Sequence, residues 1–213
     1  NPIVQDNLAI LQHYGYEVIE PASGYLACGD TGAGKMPEPE MLLDYILREI
    51  AKEKDLLGRK VLVTAGPTQE SIDPVRYITN HSSGKMGYAL AEVCAERGAE
   101  VTLVSGPVSL QVHHPNIHRI NVESAEEMYQ AATAAYADAD AGILCAAVAD
   151  FTPECTADHK IKREKEDLVL RLKPTHDIAA ALGKSKRENQ RLVGFALETN
   201  DEVAHAQDKL ARK

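Results

Sequence analysis

Residues Asn80 to Gly87 read NHSSGKMG, with an amide, two hydroxyls, two glycines and a lysine and almost nothing apolar. The hydroxyls of Ser82 and Ser83 and the bare backbone of Gly84 could cradle a phosphate, because a helix opening just beyond them would offer unsatisfied N–H groups and a positive dipole end. A solvated structural loop has the same composition. The pattern is neither a Walker A loop nor a G-x-G-x-x-G fingerprint, so both readings stand. A second candidate is Asp150, which closes GILCAAVADF. A carboxylate at the carboxyl end of an apolar strand can contact a ligand or a metal, or can cap the next turn. A third is HKIKREK, which gathers Lys160, Lys162, Arg163 and Lys165. It is a solvated charge run, or, if extended, a face carrying Lys160 and Lys162 against an anion. GFALETN, residues Gly194 to Asn200, again ends an apolar run in small and polar residues. His113 and His114 are adjacent and would point to opposite faces of a strand, which disfavours a shared metal. Cys94 and Cys145 sit in apolar runs and read as core residues.

The elements that must carry these groups follow from periodicity. An apolar run covers Lys60 to Ala65, with further strands expected at Val101 to Ser105, Ile117 to Val122, Ala141 to Ala149 and Leu192 to Ala196. Helices are expected over Tyr88 to Arg97, stopped by Gly98, and from Ser124 to about Ala137, with Glu127 completing a capping box. A terminal helix follows the last strand. Strands alternating with helices imply a parallel, doubly wound Rossmann-like α/β sheet, whose ligands lie beyond the carboxyl ends of its strands. The connection from Ala65 to the first of these helices is far longer than usual. Leu168 to Leu172 alternates and is expected to form a strand of a hairpin flap. Upstream, Leu8 to Tyr14 reads as helix, Glu17 to Glu20 as a short strand, Pro21 to Pro39 as a loop and Pro39 to Lys54 as helix. The charged stretch Lys52 to Lys60 reads as a linker, which divides the chain near Leu56 into residues 1–56 and 57–213.

Composition narrows the function classes. The 213 residues are 44% hydrophobic with a net charge of −9, which argues against general nucleic-acid binding while leaving room for a locally positive anion site. The four cysteines, Cys28, Cys94, Cys145 and Cys155, show no paired spacing and read as free thiols of a reducing, cytoplasmic environment. No apolar run is long enough to span a membrane. Both ends fall inside helical patterns, so the expectation is a fragment of a longer protein.

Taken together, VLVTAGPTQESIDPVRYITNHSSGKMG, VTLVSGPVSL, AAVADF, KIKR and GFALETN resemble, in order, the bacterial phosphopantothenate–cysteine ligases. EPASGYLACGDTGAGKMPEPE resembles the C-terminal loop of phosphopantothenoylcysteine decarboxylase, the partial flavoprotein segment of a bifunctional coenzyme A biosynthesis family. The resemblance implies ligation of 4′-phosphopantothenate to cysteine with CTP and Mg2+, through an acyl-cytidylate. It implies catalytic roles for Asn80 and Lys160, and a phosphate-contacting turn at Ser82, Ser83 and Gly84. It implies nucleotide contacts at Ala146, Ala147, Asp150, Lys160, Lys173, Pro174, Thr175, His176, Phe195, Lys209 and Lys213, with the metal ligands unassigned beyond Asp150. Within Lys173 to Ile178 the family commonly has proline where this chain has His176. Cys28 would be the decarboxylase's proton donor, in a full-length protein that also binds FMN. The resemblance further implies a homodimer through the ligase part, with Phe151 to Leu172 in the contact, and a higher homo-oligomer through the decarboxylase.

Two other readings compete. A nicotinamide-dependent oxidoreductase would need a compact glycine fingerprint, where the chain has TAGPTQE and VSGPVSL. A non-catalytic scaffold or oligomerisation fragment would need no nucleotide at all.

Overall fold

The computed structural model describes residues 1–26, 29–163 and 167–195, arranged in two compact units, Asn1–Lys52 and Glu53–Lys213. In the first unit, helix α1 (Pro2–His13) starts where the Asn1 side chain accepts from the Ile3 amide, with Pro2 in the first turn. It begins earlier than periodicity indicates. Strands β1 (Ala22–Tyr25) and β2 (Thr31–Lys35) form an antiparallel hairpin, in register from Ala22 opposite Lys35 to Tyr25 opposite Thr31. The hairpin lies in the stretch expected to be a loop, and Glu17 to Glu20, expected to be the strand, is not one. Glycine composition misleads here because backbone pairing needs no side chains. Helix α2 (Pro39–Ile50) opens on a proline in its first turn.

The second unit is built on β3 (Lys60–Ala65), whose strand pattern places five successive residues out of solvent. A small antiparallel hairpin follows, β4 (Gln69–Ser71) and β5 (Tyr77–Thr79), and then α3 (Lys85–Glu96). Next come β6 (Glu100–Ser105), β7 (Ile117–Asn121), α4 (Ala125–Tyr136) and β8 (Ala141–Leu144). The described chain ends through β9 (Phe151–Pro153), β10 (Leu172–Pro174), α5 (Ile178–Ser185) and β11 (Arg191–Gly194). The main sheet has the order β11-β8-β3-β6-β7, parallel throughout. Its strand order reverses at β3, so the cleft beyond β3 and β8 is the topological switch point where doubly wound sheets bind ligands. One core, around Val63, Leu103, Ala91 and Tyr88, lies under α3. The other, around Leu62, Val104, Met128 and Leu182, lies under α4 and α5.

Caps behave largely as their residues predict. Ser124 Oγ accepts from the Glu127 amide at 3.2 Å, while the Glu127 carboxylate reaches back to the Glu123 amide at 2.7 Å, one residue before the usual capping-box partner. Gly98, with φ +94°, ends α3. Three expectations shift. The stretch read as a linker is pinned to the sheet unit: the Leu56 amide donates to the Arg97 carbonyl at 2.9 Å, Arg97 pairs with Asp55, and Leu56 packs against the α3-side core. Strand β8 stops at Leu144; beyond it the amides of residues 145 and 147 still bond to Thr64 and Gly66, and Pro67 and Ala147 form an isolated parallel bridge. The flap strand is Leu172–Pro174, paired with Phe151–Pro153, and Leu168 to Arg171 lie outside it. The alternation there does not reach a partner strand. The expected terminal helix falls outside the described residues.

Candidate active site

The switch point is built from two loops that meet. Leaving β3, Gly66 takes φ +75°, and its neighbours leave little room for a side chain: a Cβ on Gly84 would sit 3.4 Å from the Gly66 backbone, and one on Gly106 would meet the Pro67 carbonyl oxygen. Leaving β8, the Ala147 amide donates to the Gly66 carbonyl at 2.9 Å, and the Ala146 amide donates to Thr64 Oγ1 at 3.2 Å. Thr68 Oγ1 accepts from the Ala149 amide at 3.0 Å. These bonds hold 145–149 against the first loop.

Asn80 follows β5 directly and is exposed. Its Nδ2 donates to the Ala147 carbonyl at 3.0 Å, across the switch point. Thr79, the residue before it, anchors the hairpin by donating from Oγ1 to the Thr68 carbonyl at 2.7 Å. The Ser82 amide donates to the Asn80 carbonyl, and Ser82 Oγ accepts from the Gly84 amide at 3.3 Å, so this hydroxyl shapes the turn. Gly84 is the N-cap of α3 in the left-handed region and places no side chain on the helix end. The first amides of α3 are therefore uncapped by any side chain, and Ser83 stands exposed beside them.

The loop after β8 also walls a cleft of ≈ 280 Å³, where Ala146 and Asp150 stand with Thr175, His176 and Phe195. Thr175 is fastened there: its Oγ1 donates to the Ala149 carbonyl at 2.6 Å and its amide to the Asp150 carbonyl at 3.0 Å. His176 is turned toward Glu126, with Nδ1 and Oε2 2.7 Å apart, and its ring packs on Tyr129 at a centroid distance of 4.6 Å. Hydrogen bonds from Gln130 and then His176 hold the Glu126 carboxyl below its usual range. Lys173 and Pro174 line a neighbouring cleft of ≈ 700 Å³ instead, beside Glu126 and Glu154. Burial pushes the Cys145 thiol up to about 11, so the cysteine nearest this site is a neutral thiol at pH 7.

Lys160 is exposed and, among the described residues, makes no hydrogen bond or ion pair. It lies in an irregular segment, not in the strand that would have put Lys160 and Lys162 on one face. Cys28, Lys165, Lys209 and Lys213 lie outside the described residues. Among the described residues no three or more His, Cys, Asp and Glu side chains come together as a metal site. Sequence reasoning missed Asp73, Arg76 and Glu70. Asp73 is buried and bonded to Arg76, and buried Glu70 accepts the Ala125 amide at 2.9 Å at the start of α4. The Asp-Pro step in SIDPVR is a turn signal that could have singled out Asp73. Nothing in the sequence pattern marks Glu70.

Comparison with known proteins adds the family. The DNA/pantothenate metabolism flavoprotein C-terminal domain matches residues 56–213. The chain belongs to that family. A flavoprotein family matches residues 1–51. The chain is 54% identical, over its full length and 60% of the relative's, to a protein of an unknown prokaryotic organism named cysteine/cysteine sulfinic acid decarboxylase. It is 47% identical, over its full length and 53% of the relative's, to the coenzyme A biosynthesis bifunctional protein CoaBC of Vibrio vulnificus. Among solved structures, the C-terminal domain of a CoaBC protein superposes with a TM-score of 0.64 at 45% identity, covering 73% of each chain. The chain thus spans little more than half the length of these full-length relatives. No helix among the described residues is long and apolar enough to cross a membrane.

Proposed function

We propose that residues 57–213 are the larger part of a CTP-dependent phosphopantothenate–cysteine ligase, and residues 1–56 the end of the decarboxylase that precedes it in the full-length protein together with the stretch that joins the two. The observation that carries the reading is the Asn80–Ala147 hydrogen bond. It brings two residues implied by the resemblance together at the position where this fold binds ligands.

The chemistry assigned to the site has two steps. A carboxylate oxygen of 4′-phosphopantothenate attacks the α-phosphorus of CTP, and the bridging P–O bond breaks to release pyrophosphate. The cysteine amine then attacks the acyl carbon, the C–O bond to CMP breaks, CMP leaves with the electron pair, and the amine loses its proton. The cleft of Ala146, Asp150, Thr175, His176 and Phe195 takes the nucleoside, with the half-exposed Phe195 ring available to the base. Ser82, Ser83, Gly84 and the uncapped α3 amides take the phosphates. Asn80 Nδ2 donates to the oxygen that gains charge at the acyl carbon, and the Lys160 ammonium offsets charge at the α-phosphate. Lys173 and Pro174, in the neighbouring cleft that Thr175 and His176 also line, and Lys209 and Lys213 complete the nucleotide contacts. Mg2+ would arrive with the triphosphate; Asp150 would hold it, and the ion would neutralise phosphate charge.

The same reading assigns the ligase part a homodimer with Phe151 to Leu172 in the contact, where Phe151, Leu168, Val169 and Leu172 are exposed. It assigns the full-length protein FMN, Cys28 as proton donor, a larger oligomer and a cytoplasmic location. Adding 4′-phosphopantothenate and CTP, without cysteine, to the full-length protein should release pyrophosphate; no release with CTP, or equal release with ATP, would overturn the assignment. The relative named for cysteine sulfinic acid gives a second reading, decarboxylation of free cysteine or its sulfinate. Carbon dioxide from those substrates without CTP or phosphopantothenate would favour it.

A further inference from the structure

The hairpin that ends at Asn80 also grips the segment that carries Lys160. Asp73 stands at the turn between β4 and β5, with its side chain fully out of solvent. Its carboxylate receives five N–H groups. Oδ1 accepts from the amides of Val75 at 2.8 Å and Arg76 at 2.9 Å. Oδ2 accepts from Arg76 Nε at 3.0 Å, Arg76 Nη2 at 2.5 Å and the Ile161 amide at 3.0 Å. Arg76 Nη2 also donates to the Ile161 carbonyl at 2.7 Å. Both backbone groups of the residue between Lys160 and Lys162 are therefore held by one ion pair, across 88 residues of sequence. Two further bonds run alongside: the Ala157 amide donates to the Ile72 carbonyl, and Thr156 Oγ1 to the Ser71 carbonyl.

Closing its own turn would require only the Val75 and Arg76 amides. The contacts to Ile161 do something else: they fix the backbone of a segment that has no helix or strand of its own from Glu154 to Arg163. We propose that Asp73 is a positioning residue for the ligation reaction, forming with Arg76 a two-point clamp on Ile161 that sets Lys160 relative to Asn80. The inference rests on the assignment of Lys160 and Asn80 above. Its physical basis is that Asn80 directly follows β5 of the same hairpin, so one element holds the backbone of both groups. Misplacing a reacting group by about 1 Å can cost on the order of 10²-fold in rate. The carboxylate is held ionised well below the usual range, first by the Arg76 guanidinium.

Asp73→Asn tests the clamp, because whichever way the amide turns, an NH2 donor replaces an acceptor facing N–H groups. In the full-length protein, CTP-dependent pyrophosphate release should fall by roughly 10–100-fold while the CTP dissociation constant moves by less than about 3-fold. In a Lys160→Gln background the same substitution should add less than about 3-fold, since a group acting through Lys160 loses its effect with it. Trypsin should also cut after Lys160 faster than in the wild type, a readout independent of activity. Equal losses in both backgrounds would mean a general structural role and overturn the clamp. Normal release by Asp73→Asn beside an impaired Lys160→Gln would overturn the clamp and leave the ligase reading standing, whereas a fully active Lys160→Gln would overturn the role of Lys160 and the clamp with it. If Asp73→Asn does not fold, Arg76→Lys, which keeps a cation beside Asp73 but loses the guanidinium that also reaches the Ile161 carbonyl, carries the same expectations.

Discussion

The two compact units bury their side chains very differently. Every buried hydrophobic core residue among the described residues lies between Val61 and Leu182. Helix α1 buries none of its residues, and α2 leaves Met41, Leu43, Ile46, Leu47 and Ile50 exposed. The glycines differ in the same sense. In the first unit a Cβ on Gly32 would meet nothing within 4 Å, whereas in the second a Cβ on Gly87 would sit 2.6 Å from the Ala65 Cβ and one on Gly106 would collide with the Pro67 oxygen. The sheet unit holds its candidate site by close backbone packing at the strand ends; the first unit, taken by itself, has secondary structure without a hydrophobic core among its described residues.

Substitutions at these glycines should differ widely in cost. Gly106→Ala must displace the Pro67 loop and should cost about 3 kcal/mol or more, up to loss of folding, while Gly32→Ala should stay within about 0.5 kcal/mol. Urea unfolding of both variants checks this, and equal effects would end the distinction. The cores give the next largest contrast. Leu103→Ala removes a fully buried side chain and should cost about 2–5 kcal/mol, while Ile46→Ala, at a position 54% exposed, should cost less than about 1 kcal/mol.

Ion pairs sharpen the same point at a smaller scale. Asp73–Arg76 is buried on the carboxylate side, whereas Lys35–Glu38 in the first unit is exposed on both. The Asp73 carboxyl lies below its ordinary value of 3.8 in the folded protein, so its contribution to stability is full above that pH and is lost as pH falls below it toward the folded value. The gap in unfolding midpoint between wild type and Asp73→Asn should therefore be constant from pH 8 to about pH 5 and close below about pH 4. It should survive added salt, while Lys35→Ala should leave the midpoint unmoved in salt, where an exposed pair is screened.

Legibility in the sequence follows this division. The strands of the main sheet, with the helices capped by Ser124 and ended by Gly98, were readable because burial imposes periodicity and caps impose residue types. Strand pairing without apolar side chains was not: β1 and β2 hide in glycine-rich sequence, and the flap strand at Leu172 sits past the alternation that suggested it. At the site, Asn80, Ala146, Ala147, Asp150, Thr175, His176 and Phe195 were all named from the sequence and its resemblance. Only the structure shows that Asn80 bonds across the switch point to Ala147, that Lys173 and Pro174 face a different cleft, and that Asp73 reaches Ile161. Contacts across 88 residues leave no local pattern to read.

The proposed ligation turns on the Asn80 amide acting at the acyl carbon in its second half. Mass spectrometry of the full-length Asn80→Asp protein, incubated with CTP, 4′-phosphopantothenate and cysteine, tests it most directly. The carboxylate that replaces the amide cannot donate to a developing oxyanion, so the acyl-cytidylate should accumulate on the protein, with pyrophosphate released and little amide formed. Wild-type amide formation with no accumulated intermediate would contradict the account.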